Sequence, residues 1–261
     1  MTKEEYGFLE LWFENYVDGF RNEQKILQPM LELKYRHSLR VAENAKLIAE
    51  GLGLPEAKRY LAEGTGLVHD AGRFNQYTQH GSFCDATTLD HGIEGRRVLE
   101  NQELLLHNPL DREQLLYAVE YHNRNKTEIS QGFNLDQDRL LCLIRDADKL
   151  DIIEVVLHAL SCNGFQDLPL MLPQISLSLK PSSKVLEEAK NSRSVSSINL
   201  STLADMLIMI ATWFYDLNYS QSLHIALERD MLSRIQKELP ETQSVNNIFA
   251  DITDTILKMH V

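Results

Sequence analysis

Apolar residues recur at helical spacing through almost the whole sequence. In the segment from Leu31 to Gly53, for example, Leu33, Val41 and Ile48 fall on one face of a helix, as in an amphipathic helix that packs on a core. No segment shows the sustained alternation of apolar and polar residues that is typical of a half-buried strand. The pattern therefore predicts an all-α protein whose helices bury their apolar faces against one another.

Proline, glycine and polar residues mark where these helices are expected to begin and end. Pro55 opens the segment PEAKRYLAEGTGLVHDA at a position where proline is tolerated, and Gly72 is placed to end that helix. A capping-box pattern at Asp111 predicts the start of a later helix. Residues 73–90 and 123–135 are polar, so we expect both segments to form loops.

The length of 261 residues allows one large domain, or one domain with an appendage. We expect a helical core over residues 1–160 and an irregular connecting segment, rich in proline and serine, over residues 161–200. Helices over residues 201–261 should pack back on the same domain, because their apolar faces need a partner.

Charge and cysteine usage exclude several classes of protein. The formal net charge of −12 argues against a general nucleic-acid-binding protein, because phosphate contacts need a basic surface. The apolar run over residues 203–217 contains two aspartates and is shorter than the roughly 20 apolar residues that span a bilayer. Three cysteines without regular spacing form no disulfide framework. With no signal peptide at the start, we expect a cytoplasmic protein without a membrane partner; its oligomeric state is not predicted.

Several histidines and aspartates fall on the apolar faces of the predicted helices or where a loop meets a helix. Burying such a group without a partner is costly. A lone buried histidine is more often hydrogen-bonded in a core than bound to metal. Five segments that each supply one or two such groups instead favour a metal site in a helical bundle. The set comprises His37, the adjacent pair His69 and Asp70, His91, His122 and Asp148.

The order of these residues, H…HD…H…H…D, resembles that of the HD superfamily of metal-dependent phosphohydrolases. The resemblance covers residues 31–157 and is carried by the segments YRHSLRVAENAKLIAEGLGL, GLVHDAGRF, LDHGIEGRRVL, EYHN and IRDADKLD. It implies an all-α HD-domain helical bundle with the C-terminal helices packed on it. It also implies a metal-dependent phosphohydrolase.

By this resemblance, the minimal motif H…HD…D holds one metal, and two further histidines match positions that members with two metals use. Asp70 then corresponds to the bridging carboxylate. The segment IRDADKLD leaves a choice between Asp146 and Asp148, and the resemblance favours Asp148 because a basic residue follows it. Asp151 either orients a ligand or has a surface or capping role. The implied ligands are His37, His69, Asp70 and Asp148 for the first metal and His91 and His122 for the second.

A mixed set of histidines and carboxylates suits two divalent transition metal ions, namely Mn, Fe, Zn or Co, better than Mg or Ca. Two such ions about 3.5–4 Å apart generate a hydroxide near neutral pH and neutralise phosphoryl oxygens. No Ser-His-Asp or reactive-cysteine pattern supplies another nucleophile. We therefore expect metal-activated hydroxide to cleave a phosphoester or phosphoanhydride of a small compound, with a nucleotide as the favoured substrate.

Basic residues lie beside the proposed ligands in the sequence. Arg73, Arg124 and Lys149 are the candidates for phosphate contacts, with an ordinary structural role as an equally weighted alternative. Arg96 and Arg97 are interpreted as surface residues that solvate a helix face.

Two other functions stay open. Some HD proteins use the same H…HD…H…H…D ligands to hold two irons and activate oxygen, so a diiron oxygenase is the main alternative. A regulatory module that keeps metal without catalysis is the other, although all six ligand positions are filled here. The chain also lacks a GYP segment after EYHN, which argues against the cyclic-di-GMP branch.

Overall fold

The computed structural model describes residues 1–102, 106–124, 138–166, 168, 172 and 174–259. The loop predicted over residues 123–135 lies almost wholly outside them. In the described part of the chain the regular structure is helical, and the one β-type pairing is an isolated bridge between Ser176 and Thr202. The all-α prediction is confirmed. The helices are α1 (Lys3–Asp18), α2 (Pro29–Gly51), α3 (Glu56–Val68), α4 (Ala71–His80), α5 (His91–Glu100), α6 (Pro109–Tyr121), α7 (Arg139–Asn163), α8 (Ser183–Ser192), α9 (Leu203–Thr212), α10 (Ser220–Glu228), α11 (Met231–Lys237) and α12 (Gln243–Met259).

The chain forms two compact units, Met1–Asp151 and Ile152–Val261. All the residues proposed as metal ligands fall in the first unit. The helix α7 begins in the first unit and continues into the second. The packing of the C-terminal helices on the HD-like core stays a prediction.

The core of the first unit consists of apolar side chains from α1 to α6. Phe13 and Phe74 are fully buried and meet edge to face, with ring centroids 6.1 Å apart. Gly66 of α3 faces the backbone of α2, where an added Cβ would lie 3.0 Å from the Val41 carbonyl oxygen. This close approach of α2 and α3 brings the histidine in the middle of α2 next to the end of α3.

The loop predicted over residues 73–90 is wrong in its first half. The helix α4 covers Ala71–His80, and Gly72 lies in its first turn instead of ending a helix. A Cβ on Gly72 would lie 2.2 Å from the His91 carbonyl oxygen, so only glycine fits where the backbones of α4 and α5 meet. From the sequence, a glycine needed for close packing cannot be distinguished from a glycine that ends a helix.

The start of α6 also differs from the capping-box prediction. The helix begins at Pro109, and the side chain of Asn108 accepts a hydrogen bond from the Leu110 amide at 2.9 Å. Asp111 is buried in the first turn, where its Oδ1 pairs with Lys58 Nζ at 2.8 Å. Asp111 therefore joins α6 to α3 and does not cap α6.

In the second unit, the segment expected to be irregular contains the helix α8. Ser182 caps α8 by accepting a hydrogen bond from the Val185 amide. The fully buried carboxylate of Asp205 accepts hydrogen bonds from the Ser182 amide at 2.7 Å and from Ser201 Oγ at 2.8 Å. The segment is thus tied to the start of α9. Among the described residues, no helix has both the length and the apolar character needed to cross a membrane.

Candidate metal centre

Four imidazoles surround the carboxylate of Asp70 in the first unit. His37 and His69 direct their Nε2 atoms at Asp70 Oδ2, at 3.5 and 3.7 Å. His91 and His122 direct theirs at Asp70 Oδ1, at 3.4 and 3.6 Å. All five side chains are buried. Each oxygen of one carboxylate therefore faces its own pair of histidines.

Helix ends deliver most of these residues. His69 and Asp70 form the two-residue junction between α3 and α4, His91 is the first residue of α5, and His122 follows the last residue of α6. His37 comes from the middle of α2. Asp70 has φ −101° and ψ 17°, a bridge conformation common at functional sites. The break in the helix lets two consecutive side chains enter one site.

A second carboxylate, Asp148 of α7, lies on the same side as His37 and His69. Its Oδ1 is 3.1 Å from His37 Nε2 and 3.8 Å from His69 Nε2. Residues two apart on a helix point about 200° from each other. Asp146 and Asp148 therefore point to different sides of α7, and these distances favour Asp148 as the ligand.

Backbone carbonyls fix the orientation of two of the rings. His69 Nδ1 lies 2.7 Å from the Gly66 oxygen, and His122 Nδ1 lies 2.7 Å from the Val119 oxygen. A carbonyl oxygen only accepts, so Nδ1 carries the proton and Nε2 of the neutral ring presents a lone pair. Burial lowers the pKa of His69 to about 3, which keeps this ring neutral. Its Nε2 is buried without a hydrogen-bond partner, as expected of a metal ligand.

Carboxylates orient the other two rings. His37 Nδ1 lies 2.6 Å from Asp151 Oδ2, and His91 Nδ1 lies 2.6 Å from Asp85 Oδ2. Asp151 is buried, and Arg40 donates to both of its oxygens at 2.6 and 3.0 Å. Of the two roles left open for Asp151, the structure therefore supports the orienting one. Such carboxylate–histidine pairs fix the tautomer and make the imidazole a better metal ligand.

The protonation states of Asp70, Asp148 and His91 also suit a metal. Burial opposes ionisation of Asp70, but the ammonium of Lys34, 2.7 Å from Oδ2, and the neighbouring histidines hold the pKa of Asp70 well below its usual range. Burial likewise opposes ionisation of Asp148, and its hydrogen bond to His37 lowers the pKa nevertheless. Burial lowers the pKa of His91 to about 4. For His37, burial and the charge of Lys34 lower the pKa, but hydrogen bonds to two carboxylates outweigh them and raise it.

The donor set fits a pair of divalent transition metal ions. Three groups of three side chains have their ligand atoms within 4.8 Å of one another, and two of these groups share Asp70. Neutral imidazoles and ionised carboxylates are the forms that bind such ions. The two buried groups are His37, His69 and Asp70, and Asp70, His91 and His122, whereas the third, Asp85, Asp90 and His91, is partly exposed.

A model of the HD domain family matches residues 35–153 of the chain. These residues form an HD domain. The matched range lies inside the segment, residues 31–157, whose motifs carry the resemblance, so the family prediction is confirmed. In general, HD domains imply divalent metals and metal-dependent phosphohydrolase activity. Comparison with curated proteins and with solved structures gave no match.

Within the HD domain, Arg73 lies at the candidate site but already has several partners. Its Nη1 donates to Gln76 Oε1, the Phe83 carbonyl oxygen and Asp85 Oδ1, at 2.7, 2.7 and 2.8 Å. Its Nε is buried, makes no hydrogen bond and lies 3.6 Å from Asp70 Oδ1. This arrangement leaves Arg73 one donor beside the carboxylate that faces both histidine pairs.

The other two predicted substrate contacts are Arg124 and Lys149. Arg124 Nη2 pairs with Asp90 Oδ2 at 2.8 Å, and its side chain is 30% exposed. Lys149 is half-buried and follows Asp148 on α7. Arg96 and Arg97 pair with nearby glutamates on and around α5, as expected for residues that solvate a helix face.

Two polar residues next to the proposed metal ligands were missed in the sequence analysis. Lys34 precedes His37 by three residues, so helical spacing alone places them on one face of α2. Its ammonium lies 2.7 Å from Asp70 Oδ2 and 5.7 Å from the ring centroid of Phe83. Asp85 lies in a segment predicted to be a loop, where no periodicity indicates the direction of a side chain. Its contact with His91 becomes visible only in three dimensions.

Proposed function

We propose that the protein is a two-metal phosphohydrolase that cleaves a phosphoester or phosphoanhydride of a small phosphorylated compound, with a nucleotide as the favoured substrate. The observation that supports this most strongly is the carboxylate of Asp70, whose two oxygens face two different pairs of histidines. The proposed ligands are His37, His69, Asp70 and Asp148 for one metal and Asp70, His91 and His122 for the other.

A bound pair of Mn, Fe, Zn or Co ions supplies a hydroxide near neutral pH and charge neutralisation at the phosphoryl oxygens. The protein orients the imidazoles through their Nδ1 atoms and supplies Asp70 as the shared carboxylate. The ligand set carries only two negative charges, from Asp70 and Asp148. Two divalent ions therefore leave a net charge of about +2 at the site, which attracts a phosphate although the whole chain has a formal net charge of −12.

Arg73 is a proposed phosphate contact beside the ligands, because its Nε makes no hydrogen bond and lies 3.6 Å from Asp70 Oδ1. Arg124 and Lys149 are proposed to contact the substrate farther from the reacting phosphoryl group. Among the described residues, which include all three cysteines, no disulfide is formed, in keeping with the cytoplasmic location that we propose.

The test begins with metal analysis of protein purified without added metal, where about two equivalents of transition metal are expected. Chelated protein reloaded with Mn or Fe is then assayed for phosphate release from a panel of nucleotides and phosphomonoesters, with the chelated protein as the control. Metal-dependent turnover without oxygen supports hydrolysis. Substrate-dependent oxygen uptake by the iron form, without phosphate release, would replace the hydrolase with a diiron oxygenase.

A further inference from the structure

Four polar side chains form a closed ring beside the second histidine pair. Arg73 Nη1 donates to Asp85 Oδ1 at 2.8 Å, and Asp85 Oδ2 lies 2.6 Å from His91 Nδ1. His91 Nε2 faces Asp70 Oδ1 at 3.4 Å, and Arg73 Nε faces the same oxygen at 3.6 Å. One oxygen of Asp85 therefore accepts a hydrogen bond from His91, a proposed metal ligand, and the other accepts one from Arg73, a proposed phosphate contact.

Among the four groups that orient the histidines, Asp85 is the most exposed, although Gln76 Nε2 and Asn123 Nδ2 also donate to its carboxylate, at 2.9 and 3.2 Å. Asp151 is buried, and Arg40 donates to its carboxylate through Nε and Nη2. Backbone carbonyl oxygens orient two of the other histidines. The side chain of Asp85 is 32% exposed and lies in a short 3-10 turn. Asp85 is therefore the orienting group that a bound substrate can reach most directly.

The guanidinium of Arg73 is shared between acceptors. A phosphoryl oxygen that binds Arg73 draws hydrogen-bonding capacity and positive charge away from Asp85 Oδ1. The carboxylate of Asp85 then accepts more strongly from His91 Nδ1, which makes His91 Nε2 a better donor to a metal. Conversely, a metal on His91 polarises its Nδ1 proton towards Asp85 and loosens the pairing of Asp85 with Arg73.

We propose that Asp85 is a positioning residue that couples metal binding at the His91–His122 position to phosphate binding at Arg73. The proposal rests on the proposed function, because it takes Arg73 as a phosphate contact. Coupling between two binding sites is reciprocal, so phosphate tightens the second metal and the second metal tightens phosphate by the same factor. The His37–His69 position does not contain this link, since its carboxylate partner is Asp151.

The test is a Mn²⁺ titration of the chelated full-length protein, followed by electron paramagnetic resonance and calorimetry, with and without inorganic phosphate. In the wild type, phosphate should tighten the weaker of two Mn²⁺ sites by roughly 5–150-fold. Asp85→Asn should weaken that site by about 10–100-fold, leave the tighter site unchanged and abolish the effect of phosphate. Asp18→Asn is the control: it removes one carboxylate charge from an exposed residue at the end of α1, which pairs with Arg21 and Lys25 and not with the proposed site.

Asp18→Asn should retain the effect of phosphate on the weaker site. An Asp85→Asn variant with wild-type affinity at both sites and an intact phosphate effect would overturn the proposal. If Asp85→Asn does not fold, Arg73→Gln decides: it should keep two Mn²⁺ sites and lose the phosphate effect, and retention of that effect overturns the coupling. Wild-type protein that shows the coupling but hydrolyses no phosphoester would refute the proposed function alone. Hydrolysis without coupling would refute the present proposal alone.

Discussion

His91 Nε2 lies 3.1 Å from His122 Nε2. This contact is not what decides which nitrogen of each ring carries the proton. His91 donates its Nδ1 proton to the carboxylate of Asp85, and His122 donates its Nδ1 proton to the Val119 carbonyl oxygen. In their neutral forms, the two rings therefore direct lone pairs at each other. A cation bound between them would remove this repulsion, so the orientation of the two rings suits a pair of metal ligands.

Asp70→Ala tests the centre of the site. Because Asp70 faces both histidine pairs, its loss should weaken both metal positions by more than the roughly 10–100-fold that loss of an outer-shell partner causes. Bound transition metal and metal-dependent phosphate release should disappear together, measured by elemental analysis and by the release assay. Full metal content with wild-type turnover in this variant would contradict the site assignment.

His91→Ala should remove one metal and leave the other. His91 faces Asp70 Oδ1, whereas His37 and His69 face Oδ2 and do not depend on it. We expect metal content to fall from about two equivalents to about one, with loss of turnover. His80→Ala, a substitution at an exposed residue at the end of α4, is the matched control. Loss of both metals from a folded His91→Ala protein would argue against two separable positions.

Arg73→Gln should lower kcat/KM for the substrate more than it lowers the affinity for metal. A hydrogen bond to a charged group contributes about 1.5–3 kcal/mol, so kcat/KM should fall by roughly 10–100-fold, mainly through KM. Arg96→Gln removes the same charge from a residue that pairs with Glu100 and should leave KM unchanged. Equal kcat/KM in the Arg73 variant and the wild type would remove Arg73 from the substrate contacts.

Gly72→Ala should destabilise the start of α4, which directly follows the proposed ligands His69 and Asp70. The new Cβ would lie 2.2 Å from the His91 carbonyl oxygen, and backbone atoms cannot move away as a side chain can. We expect a loss of at least about 1–3 kcal/mol in the free energy of unfolding, with weaker binding of the second metal. Gly7→Ala, where a Cβ meets nothing within 4 Å, should instead stabilise α1 by about 0.5–1 kcal/mol. Urea unfolding distinguishes the two outcomes.

Asp205→Asn tests the buried carboxylate that ties α8 to α9. Burial opposes its ionisation, but hydrogen bonds from Ser182 and Ser201 hold the pKa of Asp205 below its usual value. The folded-state pKa is therefore lower than the unfolded one, so the stabilisation is complete above about pH 4 and is lost as the pH falls through the folded-state pKa. The substitution should cost roughly 1.5–3 kcal/mol at pH 7, and the difference from wild type should shrink in acid.

The matched control for this prediction is Asp254→Asn, at an exposed position of α12. Urea unfolding at several pH values between about 3 and 7 compares both variants with the wild type. A difference between wild type and Asp205→Asn that grows towards acid would show that the sign of the pKa shift is wrong.

The sequence by itself determined the fold class and the identity of the domain. Helical periodicity is a local property, and a helix carries its own pattern of apolar residues whatever it packs against. The motif order H…HD…H…H…D was readable for the same reason, since each ligand lies in a short segment with its own helical context. Those features led to an all-α HD domain before any contact was known.

The roles of residues that depend on contacts distant in sequence were decided by the packing of the helices. Gly72 looked like the end of a helix, but its role is set by the backbone of α5, a partner that is distant in sequence. Asp85 and Lys34 gain their importance from His91 and Asp70, which approach them only after folding. Side-chain direction in loops and contacts between helices depend on the whole fold. The motif resemblance had already divided the histidines into two pairs, but which oxygen of Asp70 faces each pair was decided by the tertiary structure alone.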